Sequence, residues 1–189
     1  ESGFSVALSA DGNRVAIGAF LNDGNGQDSG HVRVYDWTGS AWVQAGADID
    51  GEAAGDESGV SVALSTDGNR VAIGAQGNDG NGNLSGHVRV YDWTGFAWVQ
   101  AGADIDGEGG GDRSGFSVAL SSDGSRVAIG APLGDISGNG DRSGHVRVYD
   151  VRYYTIQLGA DIDGEGGGDR SGFSVALSSD GSRVRSEEH

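Results

Sequence analysis

Three full copies and a partial fourth of one unit of about 56 residues, a repeated turn between short apolar runs, and no helical apolar spacing predict an all-β protein. The predicted fold is a β-propeller of four-stranded antiparallel blades. The shared stretch reads Ser-Gly-Phe/Val-Ser-Val-Ala-Leu-Ser at Ser2, Ser58, Ser114 and Ser171, so starts differ by 56, 56 and 57 residues. Self-similarity at that period marks a repeat architecture. Each copy places Asp-Gly between apolar runs, which is a strong hairpin signal. Glycine fills 37 of 189 positions, too many for stable helices.

Side chains alternate faces along a strand. In the first copy, strand A spans Phe4 to Ser9, with Phe4, Val6 and Leu8 on one face and Ser5, Ala7 and Ser9 on the other. Strand B, Arg14 to Ala19, has Val15 and Ile17 opposite Ala16 and Gly18. A sheet half in water would carry charges on its second face. This one carries Ala, Ser and Gly, so the expectation is that both faces are covered, the bulky face of one sheet resting on the small face of its neighbour. Radially stacked propeller blades pack in this way.

A polar B–C loop follows at 22–30, then strand C from His31 to Trp37, a Thr38-Gly39 turn, strand D around Trp42 to Ala45, and a link from Gly46 to Glu52. The division is residues 1–57, 58–113 and 114–170 as three blade repeats, 171–184 as a partial repeat of strands A and B, and 185–189 as an appended tail. The third repeat drifts at Asp150 to Leu158, where Val-Arg-Tyr-Tyr replaces the Trp-Thr-Gly segment. Three blades and a hairpin are fewer than the four to eight with which propellers close. Either the chain is cut from a longer propeller or copies associate into a homo-oligomer to close the ring. The absence of Met, even at the first position, points to a processed piece or a fragment.

The strands Phe/Val-Ser-Val-Ala-Leu-Ser, Val-Ala-Ile-Gly-Ala (running into Pro132 in the third copy) and His-Val-Arg-Val-Tyr resemble the FG-GAP repeat family, the blades of integrin-α-type propellers. The resemblance implies a propeller used for recognition or adhesion, at the cell surface or outside it, with a protein partner. Integrin-type blades carry a calcium loop in the A–B hairpin. Here that hairpin is only Ala10-Asp11-Gly12-Asn13, with too few oxygens to cage an ion, so that family site is not carried over.

Twelve arginines stand against 28 carboxylates, with no lysine, for a net charge of −16. Such acidity repels nucleic acid and favours cations or saline surroundings. Asp outnumbers Glu 21 to 7, as suits turns and metal loops. Without cysteine there is neither disulfide nor thiol chemistry. No apolar run approaches the ~20 residues of a membrane-spanning helix.

Two acidic sets are candidate cation sites. The B–C loops offer Asp23, Asn25 and Gln27, then Asp79, Asn81 and Asn83, then Asp135, Ser137, Asn139 and Asp141. Alternate oxygen ligands with intervening glycines suit calcium, although no bidentate Glu closes the loop, and the same residues also make turns. The links offer Asp48, Asp50 and Glu52, then Asp104, Asp106 and Glu108, then Asp161, Asp163 and Glu165. In extended chain, each trio shares one side, where a cation, water, or the downstream Arg113 and Arg170 would relieve the repulsion.

His31, His87 and His145 open strand C in each full repeat. Symmetry spreads them around the ring, and metal ligands must converge, so they are expected to be structural. Trp37, Trp42, Trp93 and Trp98 are either sugar-stacking platforms, which would make this a glycan-binding propeller, or outer core. No nucleophile, base and carboxylate stand apart from the repeat, and the expectation is a protein without enzymatic activity.

Overall fold

The computed structural model describes residues 2–134, 141–152 and 155–187, and every regular element among them is a strand. The first blade is β1 (Ser5–Leu8), β2 (Arg14–Ala19), β3 (His31–Trp37) and β4 (Trp42–Gln44), paired antiparallel in that order. A short β5 (Ile49–Asp50) returns to β3, pairing Ile49 with Val32 and Asp50 with His31. The segment predicted as a link is therefore partly sheet. The outer strand is made in two pieces, interrupted at residues 45–48.

The second blade repeats this with β6 (Ser61–Leu64), β7 (Arg70–Ala75), β8 (His87–Trp93), β9 (Trp98–Gln100) and β10 (Ile105–Asp106). The third has β11 (Ser117–Leu120), β12 (Arg126–Ala131), β13 (His145–Asp150), β14 (Ile156–Gln157) and β15 (Ile162–Asp163). A two-stranded sheet of β16 (Ser174–Leu177) and β17 (Val184–Glu187) begins a fourth. Residues 185–187, set aside as a tail because they break the apolar pattern, continue the ladder, with Arg185 opposite Ala176 and Glu187 opposite Ser174. Backbone pairing tolerates side chains that burial would not.

The predicted face-to-face packing is what the core shows. Ala16, Val32, Val34, Ala45 and Ile49 of the first blade receive Val71, Ile73 and Tyr91 of the second, with Val62, Leu64, Trp93 and Trp98 at the edge. One step on, Ala72, Val88, Val90 and Ile105 receive Val127, Ile129, Tyr149 and Val151, edged by Val118 and Leu120. The small residues set the blade separation. A Cβ on Gly74 would lie 2.0 Å from the Gly115 carbonyl oxygen of the next blade, so only glycine fits there. The A–B turns are also tied in series: Ala10 N donates to Thr66 O, Thr66 N to Ser122 O, and Ser122 N to Ser179 O, at 2.8–2.9 Å.

Because strands A and C run the same way, each blade has two distinct ends. One end holds the A–B and C–D turns. The other holds the B–C loops and the links into the next blade.

Candidate functional site at the blade junctions

At the loop end, the side chains proposed as calcium ligands hold the loop itself. Asp23 Oδ1 accepts from Asp28 N (2.8 Å), and Asp79 Oδ1 accepts from Leu84 N (2.7 Å). Asp28 and Leu84 sit in the left-handed region, at φ 54° and 55°, and these bonds fix them there. Asn25 Nδ2 donates to Gly51 O (2.9 Å) and Glu52 O (3.0 Å), and Asn81 repeats this on Gly107 O and Glu108 O. Gln27 Nε2 reaches Asp28 Oδ2 at 3.4 Å, while the Asn83 and Asp141 carbonyls accept from Gly111 N and Gly168 N. Asp135, Ser137 and Asn139 lie outside the described residues. The loop thus docks on the link through amide side chains.

The link carboxylates do not all stay together as strand alternation predicts: Asp48 and Asp50 remain close, and Glu52 leaves them. Asp48 turns to its own blade, accepting from Arg33 Nε (3.0 Å), Arg33 Nη2 (2.8 Å) and Gln44 Nε2 (2.7 Å). Asp104 and Asp161 accept from Gln100 and Gln157 at 2.6 Å. Asp50, Asp106, Asp163 and Glu165 are exposed. Glu52 crosses to the next blade, with Oε1 3.5 Å from Arg89 Nη1, and Glu108 does the same with Arg147 at 3.6 Å. The cause is the turn after β5. Asp56 is buried and accepts from Glu52 N (3.0 Å) and Ala53 N (2.9 Å), bending the chain towards the second blade. The charge relief expected from Arg113 and Arg170 comes instead from the strand C arginines. Arg113 and Arg170 occupy left-handed positions, and their amides donate to Leu84 O and Arg142 O.

Each strand C histidine is buried and meets these carboxylates. The three rings are apart from one another, as symmetry requires. But His31 lies with Asp48 and Asp50, His87 with Glu52 and Asp104, and His145 with Glu108 and Asp161. In each group the donor atoms fall within 4.8 Å of one another, a set that a metal ion could take. His87 Nδ1 is 3.9 Å from Asp104 Oδ2 and 4.0 Å from Glu52 Oε2. Burial pushes the His87 pKa below its ordinary value of 6.5, and the Arg89 guanidinium pushes the same way against Asp104 and Glu52. His145 is lowered by burial and by Arg147. Sequence reasoning weighed the histidines and the acidic links separately, because their meeting depends on the chain crossing between blades. Asp56 and its counterpart Asp112 were missed, although Gly-Asp-x-Ser-Gly recurring at 55–59, 111–115 and 168–172 was a usable signal.

The turn end is built differently. Arg14 forms a bidentate pair with Asp36 (2.6 and 2.8 Å) and reaches Gly68 O of the next blade, while Arg70 repeats this with Asp92 and Gly124 O. The Arg14 guanidinium stacks over Trp93 and Trp98, 5.1 and 5.7 Å from the ring centroids, and Trp98 Nε1 donates to Ala45 O (3.0 Å). The second pair of tryptophans therefore closes a blade junction. Trp37 and Trp42 meet in a tilted pair, with centroids 5.5 Å apart and planes at 51°, and remain partly exposed. Ser65, Asp67, Arg70, Asp92 and Arg152 line a polar cleft of about 470 Å³ at this end.

Comparison with known proteins matches residues 48–91 to the FG-GAP repeat family. The matched unit runs from β5 into β8. It straddles the first junction and contains Asp48, Asp50, Glu52, Asp56 and His87. No curated protein matches the chain. Among solved structures, hydrazine synthase of Kuenenia stuttgartiensis superposes with a TM-score of 0.59 at 16% identity, over 97% of this chain. The chain spans 43% of the length of that structure, and the likeness is one of fold. Among the described residues, no helix is long and apolar enough to cross a membrane.

Proposed function

We propose, from the premise that residues 48–91 are an FG-GAP repeat whose pattern recurs along a propeller arc, that this chain is a non-catalytic recognition module acting outside the cell or at its surface. Its binding surface is the loop end, and its partner is a protein presenting arginine and lysine.

The observation that carries this reading is the division of charge between the two ends. Eighteen described carboxylates and six arginines lie at the loop end, against seven carboxylates and five arginines at the turn end, with Arg185 in mid-strand between them. Arg33, Arg89 and Arg147 at the loop end are already engaged by Asp48, Glu52 and Glu108. Asp50, Asp106 and Asp163 recur on successive blades as exposed groups, so the face presents regularly spaced negative charge. Complementary charge of this kind steers encounter and selects partners.

Biolayer interferometry against secreted basic proteins tests the reading. The expected result is binding that weakens steeply with salt and is lost in the Asp50→Asn/Asp106→Asn/Asp163→Asn variant. Retained binding in that variant, or equal loss on neutralising Asp36 and Asp92 at the turn end, would refute it.

Self-association is a second reading, favoured by one surface. Phe4, Val6 and Leu8 on the bulky face of the first blade are 57%, 56% and 59% exposed. The same face of the next two blades is seated on a neighbour. Further repeats of a longer chain or a second copy would fit there, and light scattering of this chain separates a monomer from a closed multimer.

A further inference from the structure

We propose that the junctions between consecutive blades are divalent transition-metal sites, the first held by Glu52, His87 and Asp104 and the second by Glu108, His145 and Asp161.

The first observation is the donor set. One imidazole nitrogen and two carboxylate oxygens, within 4.8 Å of one another, recur at the first two junctions. Nitrogen with oxygen suits zinc or manganese better than calcium, which takes six to eight oxygens. The second observation is the state of the imidazole. His87 is 1% exposed, its Nε2 is buried with no hydrogen-bond partner, and Nδ1 faces the two carboxylates from beyond hydrogen-bonding distance. His145 repeats this, 2% exposed with Nε2 unpartnered. Nδ1 of His87 makes no hydrogen bond although it aims at two carboxylates, and an ion between them would give it a partner; Nε2, on the opposite side of the ring, is not served by that ion.

The spacing fits. Zinc takes nitrogen and oxygen ligands at roughly 2.0–2.2 Å, which places tetrahedral donors about 3.4 Å apart. The observed 3.9 and 4.0 Å close to that value with a small side-chain rotation. Glu52 and Asp104 are free to make it, with side chains 45% and 30% exposed. Each carboxylate also has its other oxygen committed: Glu52 Oε1 towards Arg89 at 3.5 Å, Asp104 Oδ1 to Gln100 Nε2 at 2.6 Å. Partners of that kind orient metal ligands. His31 is excluded because Arg33 and Gln44 occupy both oxygens of Asp48.

Because Glu52 comes from one blade and His87 and Asp104 from the next, the ion clamps adjacent blades. Three protein ligands leave one position open, at the loop end, for water or a partner's donor.

Equilibrium dialysis and calorimetry of the metal-stripped 189-residue chain with Zn²⁺ test the proposal. Two ions per chain are expected, falling to one in Glu52→Gln and His87→Gln and to none in Glu52→Gln/Glu108→Gln. Glu165→Gln, which alters an exposed link carboxylate outside both groups, is expected to retain two. Zn²⁺ is expected to raise the melting temperature, by less in Glu52→Gln. Circular dichroism checks the fold of each variant, and Glu52→Gln decides if His87→Gln does not fold. An undiminished count in Glu52→Gln, an equal loss in Glu165→Gln, or no zinc bound would overturn the proposal.

Discussion

The first and second blades carry the same strand C, His-Val-Arg-Val-Tyr-Asp-Trp at 31–37 and 87–93, in two surroundings. Within the described residues, the second blade packs on a blade before it, and the first blade leads the arc. In the second, Arg89 is buried, donates to Asp50 O of the preceding blade (2.7 Å) and faces Glu52. In the first, Arg33 has no preceding carboxylate to reach, and it turns on its own blade's Asp48. Trp98 bonds to Ala45 while Trp42 is partly exposed, and Val71 and Ile73 are fully enclosed while Val15 and Ile17 are half-buried. Identical residues thus differ in environment through the neighbour alone. Stability in such an array is a sum of blade terms and junction terms, and this pair of blades separates them.

The sharpest test removes the same side-chain atoms on both sides of the comparison. Ile73→Ala opens a cavity in an enclosed junction and is expected to cost about 3–4 kcal/mol. Ile17→Ala removes the same atoms from a half-solvated face and is expected to cost about half as much or less. Urea midpoints of the two variants check this. Equal losses would mean that the first blade's bulky face is covered in solution, which would favour self-association.

That outcome bears on what was legible in the sequence. The alternation of Val6 and Leu8 with Ser5 and Ala7 specified both faces and their stacking, because burial acts on every second residue. Ile49–Asp50 was not legible as a strand, since two residues carry no period. The pairing of 184–187 was hidden because Arg-Ser-Glu gives no apolar signal and only backbone bonds are needed. At the site, both the histidines and the acidic links stood out as repeats. Their convergence did not, because Asp56 redirects the chain and delivers Glu52 to a ring 35 residues on.

A smaller difference is expected at the tryptophans. Trp98→Ala loses packing on Gly46, the stacking with Arg14 and the bond to Ala45 O, and is expected to cost about 2–3 kcal/mol. Trp42→Ala, on the open blade, is expected to cost about 1 kcal/mol. If the pair served as a glycan platform instead, both variants would lose glycan binding at unchanged urea midpoints.

The arginines come next. Arg89→Ala leaves Glu52 and the Asp50 carbonyl unpartnered and removes a guanidinium placed over Tyr91, 5.6 Å from the ring centroid. A loss of about 2 kcal/mol is expected. Arg33→Ala breaks a solvent-exposed pair and is expected to cost about 0.5 kcal/mol or less, shrinking further in salt. Thermal melts at two salt concentrations distinguish the two.

The smallest effect lies at the A–B turns and reads out in acid. Asp11 holds Ser9 Oγ, Asn13 N and Asn13 Nδ2, and the Ser9 hydroxyl leads in holding its pKa down to about 2, from an ordinary 3.8. In the second blade Asp67 makes the same bonds and its pKa is also lowered, but burial is the largest influence on it and opposes them. A carboxyl with a depressed folded pKa contributes stability that is fully present above its unfolded value and fades as pH falls through the folded one. The window for Asp11 therefore runs from about pH 4 down to pH 2. Asp11→Asn is expected to flatten part of the acid-induced fall of the urea midpoint across that window, and Asp67→Asn is expected to flatten less of it. The reverse order would mean that the surroundings of the second blade's turn strengthen its hydrogen bonds more than they desolvate the carboxylate.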